Sequence, residues 1–216
     1  MYPNPSYQGS RIVGINRVLP MFFLSLLFAV IGTIVGTQVP PALFLPLVII
    51  EIGMLVAAMF LRKRRVGYTF LYLFTFISGI TFYPVLSHYL GSIGGDMVMA
   101  AFGVTTLAYG ATALYAWKSK ADFSFLGGFL MVGVIALLGM MLWNLFLPLG
   151  STMYMLFTML GIFIFIGFTL YDISNIARNG VPEELVPMAV LGLYLNFINL
   201  LLFVLRLFGI NLGSDD

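Results

Sequence analysis

"LGLYLNFINLLLFVLRLFG", residues Leu191–Gly209, sets two asparagines and an arginine among leucine, isoleucine, valine and aromatic side chains. At 100° per residue, and measured from Asn196, Gly192 falls at about −40°, Asn199 at about −60° and Arg206 at about −80°. The four share one narrow face, and the rest of the helix is apolar. A helix with one polar stripe and apolar flanks is most simply placed at the centre, with other helices packed around it. In the plainer alternative the asparagines and glycine only join helices by hydrogen bonds. Arg206 argues against that, because a guanidinium needs an acceptor or water. Glu51 is one candidate partner; Asp215 and Asp216, reached by snorkelling, are others.

The whole chain suits such a helix. Of its 216 residues, 61% are hydrophobic and only 8% charged, and the mean hydropathy is +1.07. A soluble domain carries about 25% charged residues, so the expected class is an all-α integral membrane protein of one domain. Cysteine is absent, which excludes disulfides, thiolate zinc sites and a thiol nucleophile. The start, "MYPNPSYQGSRIVGINR", is polar and basic, and no cleavable leader is expected there.

A helix crossing about 30 Å of hydrocarbon needs about 20 apolar residues. Seven stretches qualify: Val18–Thr37, Pro41–Leu61, Val66–Tyr89, Met97–Trp117, Phe123–Leu147, Thr152–Ile173 and Pro187–Ile210. Residues 1–17 then form an N-terminal tail, 18–210 the seven-helix transmembrane domain and 211–216 a C-terminal tail. Nine of the ten basic residues fall in alternate segments: Arg11 and Arg17; Arg62, Lys63, Arg64 and Arg65; Lys118 and Lys120; Arg178. The positive-inside rule puts the N-terminus in the cytoplasm and the closing "GSDD" outside.

Two carboxylates stand out. Glu51, in "LPLVIIEIGM", is about ten residues, or about 15 Å, from either end of its span. A charge there is costly unless paired, hydrated or protonated. It is either a protonated or hydrogen-bonded structural residue or part of a cavity or ion pathway; intramembrane ionisable groups favour the second. Asp172, in "TLYDISN", falls at the end of span six. A negative charge at a helix C-terminus opposes the macrodipole by roughly a few tenths of a kcal/mol. This points to a specific partner, which the Arg62–Arg65 run can supply; a water-facing carboxylate is the alternative.

Other chemistries lack their residues. There is one histidine, His88, and no HExxH pair. The last span has no lysine for a retinal Schiff base, and no Walker or GxGxxG loop occurs. "RKRR" reads as a cytoplasmic anchor after a span, not as a nucleic-acid patch. An enzyme is not expected, and ion handling fits the remaining polar groups best.

Several stretches carry a family likeness: "PLVIIEIGM", "RKRRVGYTFLYLFTFISGIT", "SHYLG", "LYDISNI", "EELVPMAVLGLYLNFINLLLFVLRLFGI" and the closing "SDD". Through nearly all of its length after the first ten residues, the chain resembles the Bax inhibitor (transmembrane Bax inhibitor motif, TMBIM) family, in particular its bacterial calcium-leak members. The resemblance implies six helices around a central seventh and a pH-sensitive leak of calcium down its gradient. It implies a sensor of two hydrogen-bonded aspartates, one on span six and one on span seven, and an arginine after span two that contacts the first and helps hold the path shut. By motif the first aspartate is Asp172, the arginine is Arg62, and Glu51 matches a glutamate of the central cavity. The second aspartate is replaced by Asn196. Asparagine does not titrate, so the like-charge coupling of two carboxyls is lost, and a weaker or shifted pH response is expected.

Calcium takes six to eight oxygens, more than the buried carboxylates here provide. No tight metal site and no cofactor are expected; calcium is the transported ion, with Asp172 and Glu51 as transient contacts. A hydrated ion would pass Glu51, Asn199 and Asn196, with Arg206 on the same face and Asp172 and Arg62 gating the cytoplasmic end. The expected partners are the lipid bilayer, calcium and protons, with no nucleic acid. The expected state is a monomer and the expected place a bacterial inner membrane. Two rivals remain. One is a proton-coupled transporter using Glu51 and Asp172. The other is a regulatory protein that binds a membrane protease or stress-response partner.

Overall fold

The structure, a computed structural model, describes residues 11–60, 66–119, 121–148 and 150–212. It is almost wholly helical. A two-residue strand β1 (Ile12–Val13) precedes α1 (Ile15–Gly36); a 3-10 turn (Pro41–Leu43) leads into α2 (Phe44–Phe60). Then come α3 (Tyr68–Lys118), α4 (Leu126–Phe146), α5 (Ser151–Asn179), β2 (Val181–Pro182), a second 3-10 turn (Glu183–Leu185) and α6 (Val186–Leu212). Six of these helical stretches are long and apolar enough to cross a membrane.

The observed boundaries differ from those expected at several places. The connection "LGSIGGD" between spans three and four is helical on both sides of Gly94, the one non-helical residue of the 51-residue α3. Gly94 has φ 80° and ψ 164°, a conformation that only glycine enters cheaply. Helix α5 runs to Asn179, six residues past the expected end. Asp172 therefore lies about two turns inside the helix, and the macrodipole argument loses its force, since that effect fades beyond the last turn. Residues Ile15–Arg17 of the expected tail already belong to α1, because the backbone turns helical straight after the extended Gly14. The residues before them form β1, antiparallel to β2, with Ile12 opposite Pro182 and Val13 opposite Val181.

The described chain forms two compact units. The first comprises residues up to His88 together with Asn179–Tyr194. Its core joins Val18 and Phe22 of α1, Leu71 and Phe74 of α3, and Val186, Val190 and Tyr194 of α6. The Phe74 and Tyr194 rings meet edge to face at 6.2 Å. Helices α1 and α3 approach at glycines. A Cβ on Gly79 would strike the Ala29 carbonyl, and one on Gly32 the Phe76 carbonyl. The Thr33 hydroxyl, 3.1 Å from the Gly79 carbonyl oxygen, crosses the same contact.

The second unit comprises Tyr89–Arg178 and the rest of the chain from Leu195. Leu130 and Leu137 of α4, Phe157 and Ile164 of α5 and Phe203 of α6 form its core. The two α4 leucines are seven residues apart, on one line of the helix, and most of the remaining α4 surface is exposed and apolar. Between α3 and α4, Asp122 Oδ1 accepts the Ser124 backbone N–H at 2.9 Å and lies 3.4 Å from Arg178 Nη1. Arg178 also donates to the Ala121 carbonyl at 3.1 Å.

Burial singles out α6. Of its most apolar stretch 56% is buried, against 6–39% for the other five, and no residue from Val186 to Ile210 is exposed.

Two outcomes follow from these contacts. Gly79→Ala should cost about 1–3 kcal/mol of stability in reversible unfolding, because it pushes backbone against backbone. Gly91→Ala, where a Cβ meets nothing within 4 Å, should stay within about 0.5 kcal/mol of the parent. The Ser124 hydrogen bonds, and then Arg178, hold the exposed Asp122 carboxyl below its ordinary 3.8. A lowered carboxylate stabilises above its unfolded value and loses that contribution as pH falls through the folded one. The Asp122–Arg178 contact should therefore persist through neutral pH and open only in acid, read as the chemical shift of Asp122.

Candidate functional site

The polar stripe of α6 lies along α5 within the second unit. The two helices run antiparallel, and three successive contacts join them. At the first, Asn196 is buried with 6% exposure, and its Nδ2 donates to Asp172 Oδ2 at 2.7 Å. The partner of Asp172 among the described residues is thus Asn196; the expected contact with Arg62 lies outside them. Tyr109 of α3, also 6% exposed, is within electrostatic range of the Asp172 carboxyl. Its ring meets Phe197 edge to face at 5.4 Å.

The second contact is aromatic. Phe203 sits 5.4 Å from Phe157 and 5.9 Å from Phe165, ring centre to ring centre. Gly161 makes room for it, since a Cβ there would collide with the Phe203 ring.

The third contact holds Arg206. Its guanidinium carbon lies 5.3 Å from the ring centre of Tyr154 and 5.1 Å from those of Phe157 and Phe203. It hydrogen-bonds the Tyr89 oxygen. Nε and Nη1 are buried without an acceptor among the described residues. Three ring faces offer the cation electrostatic compensation that, once desolvated, is worth about 2 kcal/mol. Among the described residues Arg206 is thus held by rings and a phenol; Asp215 and Asp216, suggested as partners by the sequence, lie outside them.

Asn199, placed on the same face by the wheel, turns to its own helix: Nδ2 donates to the Leu195 carbonyl at 2.7 Å. Glu51 belongs to the first unit. Its Oε2 lies 2.5 Å from Thr81 Oγ1, which is also 3.0 Å from the Ser78 carbonyl oxygen. Tyr194 lies beside the Ser78 side chain and in electrostatic range of Glu51. Among the described residues, no three His, Cys, Asp or Glu side chains gather to hold a metal.

The residues missed by sequence reasoning are Tyr109, Thr81, Ser78 and Tyr194. Each is a hydroxyl on an apolar helix; serine and threonine there usually bond their own backbone, and tyrosine usually counts as an aromatic core residue. Only the packing of helices distant in sequence reveals its second role.

Asn196→Leu should cost about 1–3 kcal/mol in unfolding measurements, because it leaves the Asp172 carboxyl without its amide donor. Asn196→Asp, which keeps size and hydrogen-bonding capacity, should cost less.

The sequence model of the family described as inhibitor of apoptosis-promoting Bax1 matches residues 12–213. An uncharacterized protein of Campylobacter jejuni is 32% identical over 202 residues, 89% of this chain and 86% of its own. Bax inhibitor 1 of Schizosaccharomyces pombe is 34% identical over 150 residues, 69% of this chain and 54% of its own. The modulator of FtsH protease YccA of Escherichia coli is 27% identical over 211 residues, 94% of each chain. Multiple membrane-length helices and a family match across nearly the whole chain have one conclusion: this is a multi-pass membrane protein that belongs to the Bax inhibitor family.

Proposed function

We propose that the chain is a calcium-leak channel of a bacterial inner membrane, gated by Asp172 with Asn196 and Arg62. The observation that carries this reading is the Asp172–Asn196 hydrogen bond, which pairs a carboxyl group on an apolar helix with a buried amide. Intramembrane carboxyls of this kind mark ion and proton pathways.

In this reading the chain crosses seven times, with the N-terminus inside. Helix α3 supports that count: its 51 residues rise about 76 Å at 1.5 Å each, more than twice the hydrocarbon thickness. A monomer with six crossings around α6 agrees with the absence of exposed positions between Val186 and Ile210. Calcium moves as a hydrated ion, with Glu51 and Asp172 as transient contacts and Asn199 beside them. Arg206 is a fixed positive charge that opposes cation entry unless counter-charge reaches it. No chemical step or cofactor is involved. With Asn196 in place of a second carboxylate, protonation of Asp172 no longer divides a shared proton, so the response to pH is shallow.

Likeness to the YccA modulator of FtsH protease along 94% of both chains favours a second reading, in which the chain acts by binding a membrane protease. Purified protein in liposomes separates the two, because no partner is present.

The test is calcium entry into proteoliposomes holding a trapped calcium dye, from mildly acid to mildly alkaline pH. The parent should leak with little pH dependence, and Asn196→Asp should leak with a steep one. Absence of calcium entry in both would overturn the channel reading in favour of the protease-binding one.

A further inference from the structure

The first unit carries a groove where the chain enters α1. Strand β1 lies antiparallel to β2, and the Glu183 N–H donates to the Arg11 carbonyl at 2.9 Å. The extended Gly14, with φ −92° and ψ −176°, then turns the backbone into α1. Arg11 and Ile12, Asn16 and Arg17, and Glu183 thereby line one cavity of about 410 Å³. Cavities of roughly 300–1,000 Å³ hold small ligands.

The charge of this groove is unbalanced. Two guanidinium groups face one carboxylate, which leaves a net +1. Both arginines are exposed, and among the described residues neither forms an ion pair. Their planar forks suit a phosphate, which they can grip through paired N–H bonds. Asn16 and Glu183 add hydrogen-bond partners for hydroxyls. Ile12, 58% exposed, sets an apolar side chain beside the charges. A ligand that meets all of these has a phosphate, hydroxyls and an apolar part.

The depth of the groove says where such a ligand comes from. Helix α1 is long and apolar enough to cross a membrane. Its 22 residues rise about 33 Å at 1.5 Å each, close to the thickness of the hydrocarbon layer. The first turn of α1 therefore falls at the level of the lipid headgroups, and the residues just before it share that level. Phosphate is concentrated there in the lipid itself, and basic pockets beside spanning helices bind anionic headgroups.

We propose that this groove binds the headgroup of an anionic phospholipid of the phosphatidylglycerol class. The phosphodiester lies against Arg11 and Arg17, the glycerol hydroxyls meet Glu183 and Asn16, and Ile12 touches the apolar part. One negative charge on the lipid cancels the net charge of the groove. A zwitterionic headgroup leaves that charge in place. The inference goes beyond the calcium-leak reading and does not rest on it.

The experiment is native mass spectrometry of the full chain in detergent, titrated with phosphatidylglycerol, phosphatidylethanolamine or phosphatidylcholine of the same acyl chains. The expected result is a single phosphatidylglycerol retained at concentrations where neither of the others is. Arg11→Gln and Arg17→Gln should each weaken it about five-fold, the equivalent of about 1 kcal/mol per arginine at an anionic surface. Both side chains are exposed, so the melting temperature without lipid should stay that of the parent. Lys118→Gln, an exposed basic residue at the end of α3 and outside the groove, should bind as the parent does. Three results overturn the proposal: equal retention of phosphatidylglycerol and a zwitterionic lipid, a loss in Lys118→Gln as large as in Arg17→Gln, which means diffuse attraction, and displacement of the lipid by an equal concentration of glycerol phosphate, which means a site for soluble phosphates.

Discussion

A helix with no exposed side must settle every polar group it carries against protein, and α6 shows how this chain does so. From Val186 to Ile210 every residue is buried or half-buried. Its polar stripe is therefore an obligation. An amide or guanidinium in hydrocarbon without a partner costs far more than an apolar contact returns. Each group finds a different solution: Asn196 the Asp172 carboxyl, Asn199 the Leu195 carbonyl, Arg206 three rings and a phenol. Two of these solutions fix the register of α5 on α6. Sliding α5 by one turn, about 5.4 Å, would move Asp172 away from Asn196 and the pocket at Gly161 away from Phe203.

The helical scaffold was legible because hydrophobic length alone decides it. Runs of about 20 apolar residues admit little besides a spanning helix, and the expected ends of α1, α2, α4 and α6 fall within three residues of those observed. The connection at Gly94 was not legible. A cluster of glycine, serine and aspartate reads as a loop, but a single glycine with positive φ does the work, and Leu90, Gly91 and Ser92 stay helical. Asp172 was legible as a residue needing a specific partner, although the reason offered, a conflict at the helix end, fails because α5 continues to Asn179. Asn196 was legible as the position facing it only through the family likeness. The wheel placed Asn196 on the right face but cannot name what lies opposite. Arg206 shows the limit of charge matching. Among the described residues, those that hold it are Tyr154, Phe157, Phe203 and Tyr89, and aromatic residues are too common in this chain, 16% of it, to mark a site by themselves.

An amide where the family likeness implies a second carboxylate changes the character of the pair. Two carboxyls in contact are held together by a shared proton, and losing it sets two charges against each other. A carboxyl beside an amide keeps one N–H donor whether or not the acid is charged. The Asp172–Asn196 bond therefore needs no shared proton to form. Specificity passes to geometry: 2.7 Å between Nδ2 and Oδ2, set by the aromatic packing further along the same helices.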